Sequence, residues 1–131
     1  MNAKELLKKA DEAKKSAYVP YSHFRVGAAL LSKSGKVYVG ANIENASYSV
    51  TCCAERVALF SAVMSGEKDF EAIAVTSDSD MITTPCGVCR QALFEFSPKM
   101  DVISSNNALE YETKKLSAML LGGFSGKEME K

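Results

Sequence analysis

Apolar residues recur at helical spacing from the start of the chain. Ala3, Leu6, Leu7, Ala10, Ala13 and Ala17 share one face, with lysines opposite. Asn2 stands where an N-terminal cap belongs, so the pattern predicts a helix over residues 3–17, closed by Val19-Pro20-Tyr21-Ser22. Residues 24–31 then form an almost unbroken apolar run. Lys33-Ser34-Gly35-Lys36 follows as a turn and residues 37–43 as a second apolar stretch, which together predict a hairpin. Helical spacing returns after Cys53 with Ala54, Val57, Ala58, Ala62 and Met64, stopped by Gly66. Residues 72–76 predict a third strand. A third helix opens at Cys86 and ends before Pro98. Short strands over 101–104 and 109–113 and a final helix over 114–121 complete the pattern. Strands alternating with helices after the hairpin predict an α/β domain with a mostly parallel sheet.

Composition narrows the function classes. A chain of 131 residues has room for one domain with a core of its own. Its 16 basic and 16 acidic residues balance, with no block of like charge, so no nucleic-acid track and no membrane-surface patch is expected. The opening Met1-Asn2-Ala3-Lys4-Glu5-Leu6 lacks the apolar core of a signal peptide. No apolar stretch approaches the roughly 20 residues of a membrane span. The expected home is the cytoplasm, where thiols stay reduced and clustered cysteines serve metals or catalysis.

The cysteines carry the chemistry. Cys53-Ala54-Glu55 and Pro85-Cys86-Gly87-Val88-Cys89 offer three thiolates and one carboxylate. A catalytic zinc takes three protein ligands and keeps the fourth position for water. Cys53, Cys86 and Cys89 are the expected ligands and Glu55 the proton carrier. Cys86 and Cys89, three apart at a helix start, place their sulfurs on one side. Cys53 opens the preceding helix, so the positive ends of two helices favour thiolate at one point. Cys86-x-x-Cys89 alone would also suit a redox dithiol, but such a motif has no use for Cys53 or Glu55. Cys52 is read as a small apolar filler rather than a ligand, and His23 as a solvated loop residue. Three thiolates leave a zinc centre net negative and weakly acidic. Arg56 and Arg90, next to Glu55 and Cys89, are therefore expected to offset that charge at the sulfurs.

Cys-x-Glu followed by Pro-Cys-x-x-Cys is the three-cysteine form of the zinc-deaminase signature. With it stand Tyr18-Val19-Pro20-Tyr21-Ser22-His23-Phe24-Arg25-Val26-Gly27-Ala28-Ala29-Leu30 and Asn42-Ile43-Glu44-Asn45-Ala46-Ser47-Tyr48. Together these segments, which span most of the chain, resemble the cytidine deaminase family in its small, homotetrameric, three-cysteine branch. The resemblance implies a three-layer α/β fold over residues 1–131, its mixed five-stranded sheet opening on an antiparallel hairpin. It implies one zinc ion per chain and hydrolytic deamination of cytidine and 2′-deoxycytidine in pyrimidine salvage. It places Asn42 and Glu44 at the sugar 3′-hydroxyl, Phe24 against the pyrimidine and Ala54 among the substrate contacts. Tyr48 and Phe124 would reach the active sites of neighbouring subunits. The match is looser at the end of the chain. Leu120-Leu121-Gly122-Gly123-Phe124 stands where relatives carry Leu-Leu-Pro-Gly-x-Phe, and Ser104-Ser105-Asn106-Asn107 is more polar than the end of a buried strand would predict.

Overall fold

The computed structural model describes residues 1–129. It opens with helix α1, Ala3–Lys14, whose Asn2 side chain accepts from the Glu5 amide. Strands β1, Val26–Ser32, and β2, Val37–Ala41, form the expected hairpin. Helix α2, Ala54–Met64, strand β3, Phe70–Ser77, helix α3, Gly87–Phe94, and strand β4, Asp101–Ser105, follow in turn. Strand β5, Tyr111–Lys115, runs into the short helix α4, Leu116–Met119. No helix among the described residues is long and apolar enough to cross a membrane.

The five strands lie in the order β2-β1-β3-β4-β5. Successive side chains of a strand face opposite ways, and this pattern divides the core into two layers. Ala28 and Leu30 of β1 join Ile73 and Val75 of β3 beneath α2 and α3. Ala29 and Leu31 join Ala72, Ala74 and Ile103 beneath Leu6, Leu7 and Ala10 of α1. The result is the three-layer mixed sheet that the resemblance implied.

The expectation of a mostly parallel sheet is corrected. Only β3 and β4 run parallel; β1 is antiparallel to both β2 and β3, and β4 is antiparallel to β5. Strand order and connection length together are the reason: the α2 crossover from β2 passes over β1, so β3 takes β1 as its antiparallel neighbour. A parallel neighbour needs a crossover of roughly a dozen residues or more, which α3 supplies between β3 and β4. The β4–β5 connection is too short for one. The polar run before it now has a use: Asn106 Oδ1 accepts from the Ala108 and Glu110 amides and shapes the turn, with Leu109 in the left-handed region at φ 62°.

Two glycines let the helices sit directly on the hairpin. A Cβ on Gly27 would fall 2.0 Å from the Ala10 carbonyl oxygen of α1, and one on Gly40 2.4 Å from the Ala54 carbonyl oxygen and 2.5 Å from the Ala58 amide nitrogen of α2. Neither helix can approach this closely over any other residue. Gly40→Ala is therefore expected to lower stability by about 1–3 kcal/mol as overpacking, measured as a drop in the urea midpoint. Because the obstructed turn carries Cys53 and Glu55, zinc retention should fall with it.

Candidate metal centre and its surroundings

Helices α2 and α3 both begin at the end of the sheet where the parallel strands β3 and β4 finish. Cys53 and Cys86 are their N-terminal caps, in extended conformation, and neither spends its side chain on capping. Both sulfurs are thus free for a ligand at the positive end of a helix. Cys89 lies one turn into α3 and is fully buried. The Sγ atoms of Cys53, Cys86 and Cys89 all fall within 4.8 Å of one another, and the Cys53–Cys86 separation is 3.8 Å. Thiolates held tetrahedrally at about 2.3 Å from a zinc ion stand roughly 3.8 Å apart. The donor set and its spacing fit zinc. The Cys52 sulfur is not part of this cluster; its residue is half-buried, and its backbone bridges to Ile43.

Glu55 is 4 % exposed. Burial pushes its carboxyl up to about 7, with the neighbouring Cys53 thiolate adding to the effect. Cys53 is shifted the other way: the Cys89 thiol donates to it and the Arg56 guanidinium lies beside it, which together hold it well below an ordinary thiol despite burial. Cys89 is raised in consequence, chiefly by the hydrogen bond it gives to Cys53 and then by its own burial. A carboxyl that titrates near neutrality beside the ready Cys53 thiolate is suited to move protons.

The two arginines part company. Arg56 donates to Cys53 Sγ at 3.6 Å and to the Thr51 carbonyl at 3.4 Å, while its buried Nε has no partner among the described residues. The expected contact of Arg90 with a sulfur gives way to another arrangement. Its guanidinium donates to the Pro85 carbonyl at 2.7 Å, the Met119 carbonyl at 2.9 Å and Thr84 Oγ1 at 3.2 Å. Arg90 follows Cys89 around the helix, where its guanidinium reaches a loop carbonyl and an α4 carbonyl, and so it braces the segment that presents Cys86.

Segment pairing brings the remaining candidates to this end of the sheet. Ile43 and Cys52 exchange both backbone hydrogen bonds at 3.0 Å, and Tyr18 pairs with the other side of the same segment. Asn42 and Glu44 therefore lie between the loop of residues 18–25 and the first metal ligand. Glu44 Oε1 accepts from the Tyr21 and Ser22 amides, each at 3.0 Å, and Oε2 accepts from the Ser22 hydroxyl. The Ser22 hydroxyl leads the causes that hold the Glu44 carboxyl below its ordinary range. Asn42 Oδ1 accepts from the Val26 amide and Nδ2 donates to the Phe24 carbonyl, both at 2.9 Å. Tyr21 and Tyr48 meet edge to face at 6.1 Å, beside a cleft of about 400 Å³ lined by Tyr21, Ser22, Glu44, Asn45, Tyr48 and Thr51. A larger concavity, about 730 Å³, lies at the opposite end of the sheet around Leu6, Lys33, Phe96 and Lys99, and none of Cys53, Cys86, Cys89, Glu55, Asn42 or Glu44 lines it.

Ala54 is buried in the first turn of α2, whereas Phe24 is partly exposed and Tyr48 and Phe124 are largely so. His23 is an exposed loop residue in the left-handed region. The Phe124 backbone is clamped by Gln91 of α3, whose Nε2 donates to its carbonyl at 2.7 Å and whose Oε1 accepts from its amide at 3.2 Å. Neither Gln91 nor the loop-holding use of Asn42 and Glu44 carries a spacing signal, because each depends on a distant backbone segment.

Residues 1–105 match the family model described as "Cytidine and deoxycytidylate deaminase zinc-binding region". The chain is 47% identical over 130 residues to a cytidine deaminase of Halalkalibacterium halodurans, covering 98% of both chains. It is 43% identical over 130 residues to one of Sporosarcina psychrophila, covering 98% of this chain and 96% of the relative. A crystal structure of cytidine deaminase from Burkholderia pseudomallei superposes with a TM-score of 0.91 at 41% identity, over 95% of this chain and 100% of the other.

The cluster geometry separates the adjacent cysteines experimentally. Cys52→Ala should retain about one zinc per chain and Cys53→Ala should lose most of it, as read by metal analysis after dialysis, because a site with only three protein ligands has none to spare.

Proposed function

The chain belongs to the cytidine and deoxycytidylate deaminase zinc-binding family, and from that premise we propose that Glu55 and the three-cysteine cluster perform the hydrolytic deamination of cytidine, and of 2′-deoxycytidine, with release of ammonia. The chain is an enzyme of cytidine deamination, a hydrolase of the cyclic amidine C–N bond. The observation that carries the mechanism is the buried Glu55 in the same helical turn that starts at Cys53 and beside the converging sulfurs. We read residues 1–131 as one cytidine-deaminase-like domain and as a cytoplasmic one, the compartment in which thiolate ligands stay reduced.

Cys53, Cys86 and Cys89 would hold one zinc ion. Zinc there would supply Lewis acidity, lowering the pKa of a water toward neutrality. Glu55 accepts one proton of the attacking water and delivers it to ring N3, then takes the remaining proton from the new C4 hydroxyl and gives it to the amine, which leaves C4 as ammonia while the C4 oxygen becomes the carbonyl. Its nearly neutral titration suits both steps, and proton transfer of this kind contributes about 10²- to 10⁴-fold. Arg56 draws charge from the Cys53 sulfur and keeps the centre electrophilic. Phe24 offers an aromatic face to the base, and Ala54 packs beside it. Asn42 and Glu44 keep hydrogen-bonding capacity beyond their loop contacts, since an amide carries two donors and each carboxylate oxygen two lone pairs. They would spend it on the 3′-hydroxyl. Ribose and deoxyribose share that group, which is why both nucleosides are expected substrates.

Assembly into a homotetramer is part of the same reading. Helix α2 is apolar around much of its circumference, as in a helix buried on all sides, yet Phe60 is half exposed and Met64 86 % exposed. Tyr48 and Phe124 likewise present rings outward, in keeping with a reach into neighbouring active sites.

Glu55→Gln should keep about one zinc per chain while turnover, followed as loss of cytidine's ultraviolet absorbance, falls by at least about 10²-fold. Full activity in that variant sinks the mechanism. Zinc without turnover of cytidine in the parent enzyme redirects the substrate to another aminopyrimidine. Sedimentation at micromolar concentration should give the mass of four chains, and Met64→Glu should reduce it, since a charge in an apolar interface is left unpaired.

A further inference from the structure

Phe24 hangs from a loop that the local backbone alone would not hold. His23, just before it, takes the left-handed conformation at φ 58°, where non-glycine residues are uncommon. On one side the loop is tied by Glu44 and Asn42. The Ser22 hydroxyl that bonds Glu44 also accepts from the Phe24 amide at 3.0 Å. On the other side it is tied by Asp78, just beyond the end of β3. Asp78 Oδ2 accepts from the Arg25 amide at 3.1 Å and from Arg25 Nε at 3.0 Å, and Oδ1 accepts from the second guanidinium branch at 3.0 Å. The Asp78 amide in turn donates to the Arg25 carbonyl at 3.2 Å. Arg25 is thus gripped by backbone and side chain together, in the bidentate geometry that makes arginine–carboxylate pairs directional.

Asp78 is itself seated on a buried cation. Lys14, 5 % exposed at the end of α1, lies 3.3 Å from Asp78 Oδ1 and 3.3 Å from Asp11. Its Nζ also donates to Asn107 Oδ1 at 3.3 Å and to the Ser77 carbonyl at 3.4 Å. Asn107 belongs to the polar run after β4 that the sequence left unexplained. Burying an ammonium group is costly unless it is partnered this fully. Arg25, and then Lys14, hold the Asp78 carboxyl down to about 2, so the clamp remains ionised through the physiological range.

We propose that Asp78, seated on Lys14, is a positioning residue for nucleoside binding: by gripping Arg25 it fixes the adjacent Phe24 where the ring meets the pyrimidine. The inference rests on the reading above that Phe24 contacts the base. It assigns Lys14, Arg25, Asp78 and Asn107 to substrate affinity, although the clamp stands on the α1 side of the sheet, opposite α2 and α3. None of them meets the cysteine cluster, so chemistry once substrate is bound should proceed as before.

The test is a set of variants read as KM and kcat separately, with zinc measured on each sample. Asp78→Asn and Arg25→Ala should each raise KM for cytidine about tenfold, the size of a lost charge-assisted contact, with kcat little changed and zinc retained. Arg25→Ala leaves the Lys14–Asp78 pair intact and serves if Asp78→Asn folds poorly. Phe24→Ala should also raise KM. In that background Asp78→Asn should add little, because the clamp acts through the ring that is gone. An unchanged KM in Arg25→Ala, or a rise that adds in full to that of Phe24→Ala, overturns the inference while Phe24 keeps its role. An unchanged KM in Phe24→Ala removes the base contact itself, and the inference with it.

Discussion

The first turn of α2 rests on bare backbone. At Gly40 the helix lies so close to β2 that a single methyl group would meet the Ala54 carbonyl and the Ala58 amide. That turn carries Cys53 as its cap, then Ala54, Glu55 and Arg56: one metal ligand, the proton carrier and the cation beside the ligand sulfur. Its height above the sheet decides whether Cys53 reaches Cys86 and Cys89, and whether Glu55 is buried deeply enough to titrate near neutrality. Gly27 plays the same part on the other face, where it seats α1 and with it Lys14. Both faces of the site are therefore referred to one hairpin.

On that platform the electrostatics are local and opposed. Two helix N-termini and Arg56 favour negative charge at the sulfurs, while burial resists charge on Glu55. The same small volume thus holds a ready thiolate and a carboxyl that still binds a proton. Environments that drive neighbouring groups in opposite directions are what proton-transfer chemistry requires. The nucleoside loop obeys a different logic. It is strained at His23, carries its function on Phe24, and is held from both flanks by carboxylates, Glu44 on one side and Asp78 on the other.

Much of this was legible along the chain because its signals are short in range. Helical spacing and caps located α1, α2 and α3 to within a few residues, and Cys-x-Glu with Pro-Cys-x-x-Cys picked out the three converging sulfurs and excluded Cys52. Strand direction was not legible, since alternating strands and helices suit a parallel sheet as well as this mixed one. What decides is which strand becomes the neighbour, and β1 takes the place beside β3 that a simple crossover from β2 would have filled. Arg90 illustrates the limit at the level of one side chain. Adjacent to Cys89 in sequence, it turns to the carbonyls of Pro85 and Met119, the second of which arrives only through packing of α4.

The sequence by itself determined the donor set, the carboxylate paired with it, and the helices that begin at those donors. Each follows from residue types at fixed small separations, where geometry is set by the helix and the turn. Tertiary structure alone decided the clamp of Asp78 on Arg25, the burial of Lys14 among Asp11, Ser77, Asp78 and Asn107, and the placing of Asn42 and Glu44 between loop and metal ligand. Those contacts join residues tens of positions apart. Their energies come from desolvated charges and backbone groups that gain partners only when the sheet has ordered its strands, and no local pattern records which partner that will be.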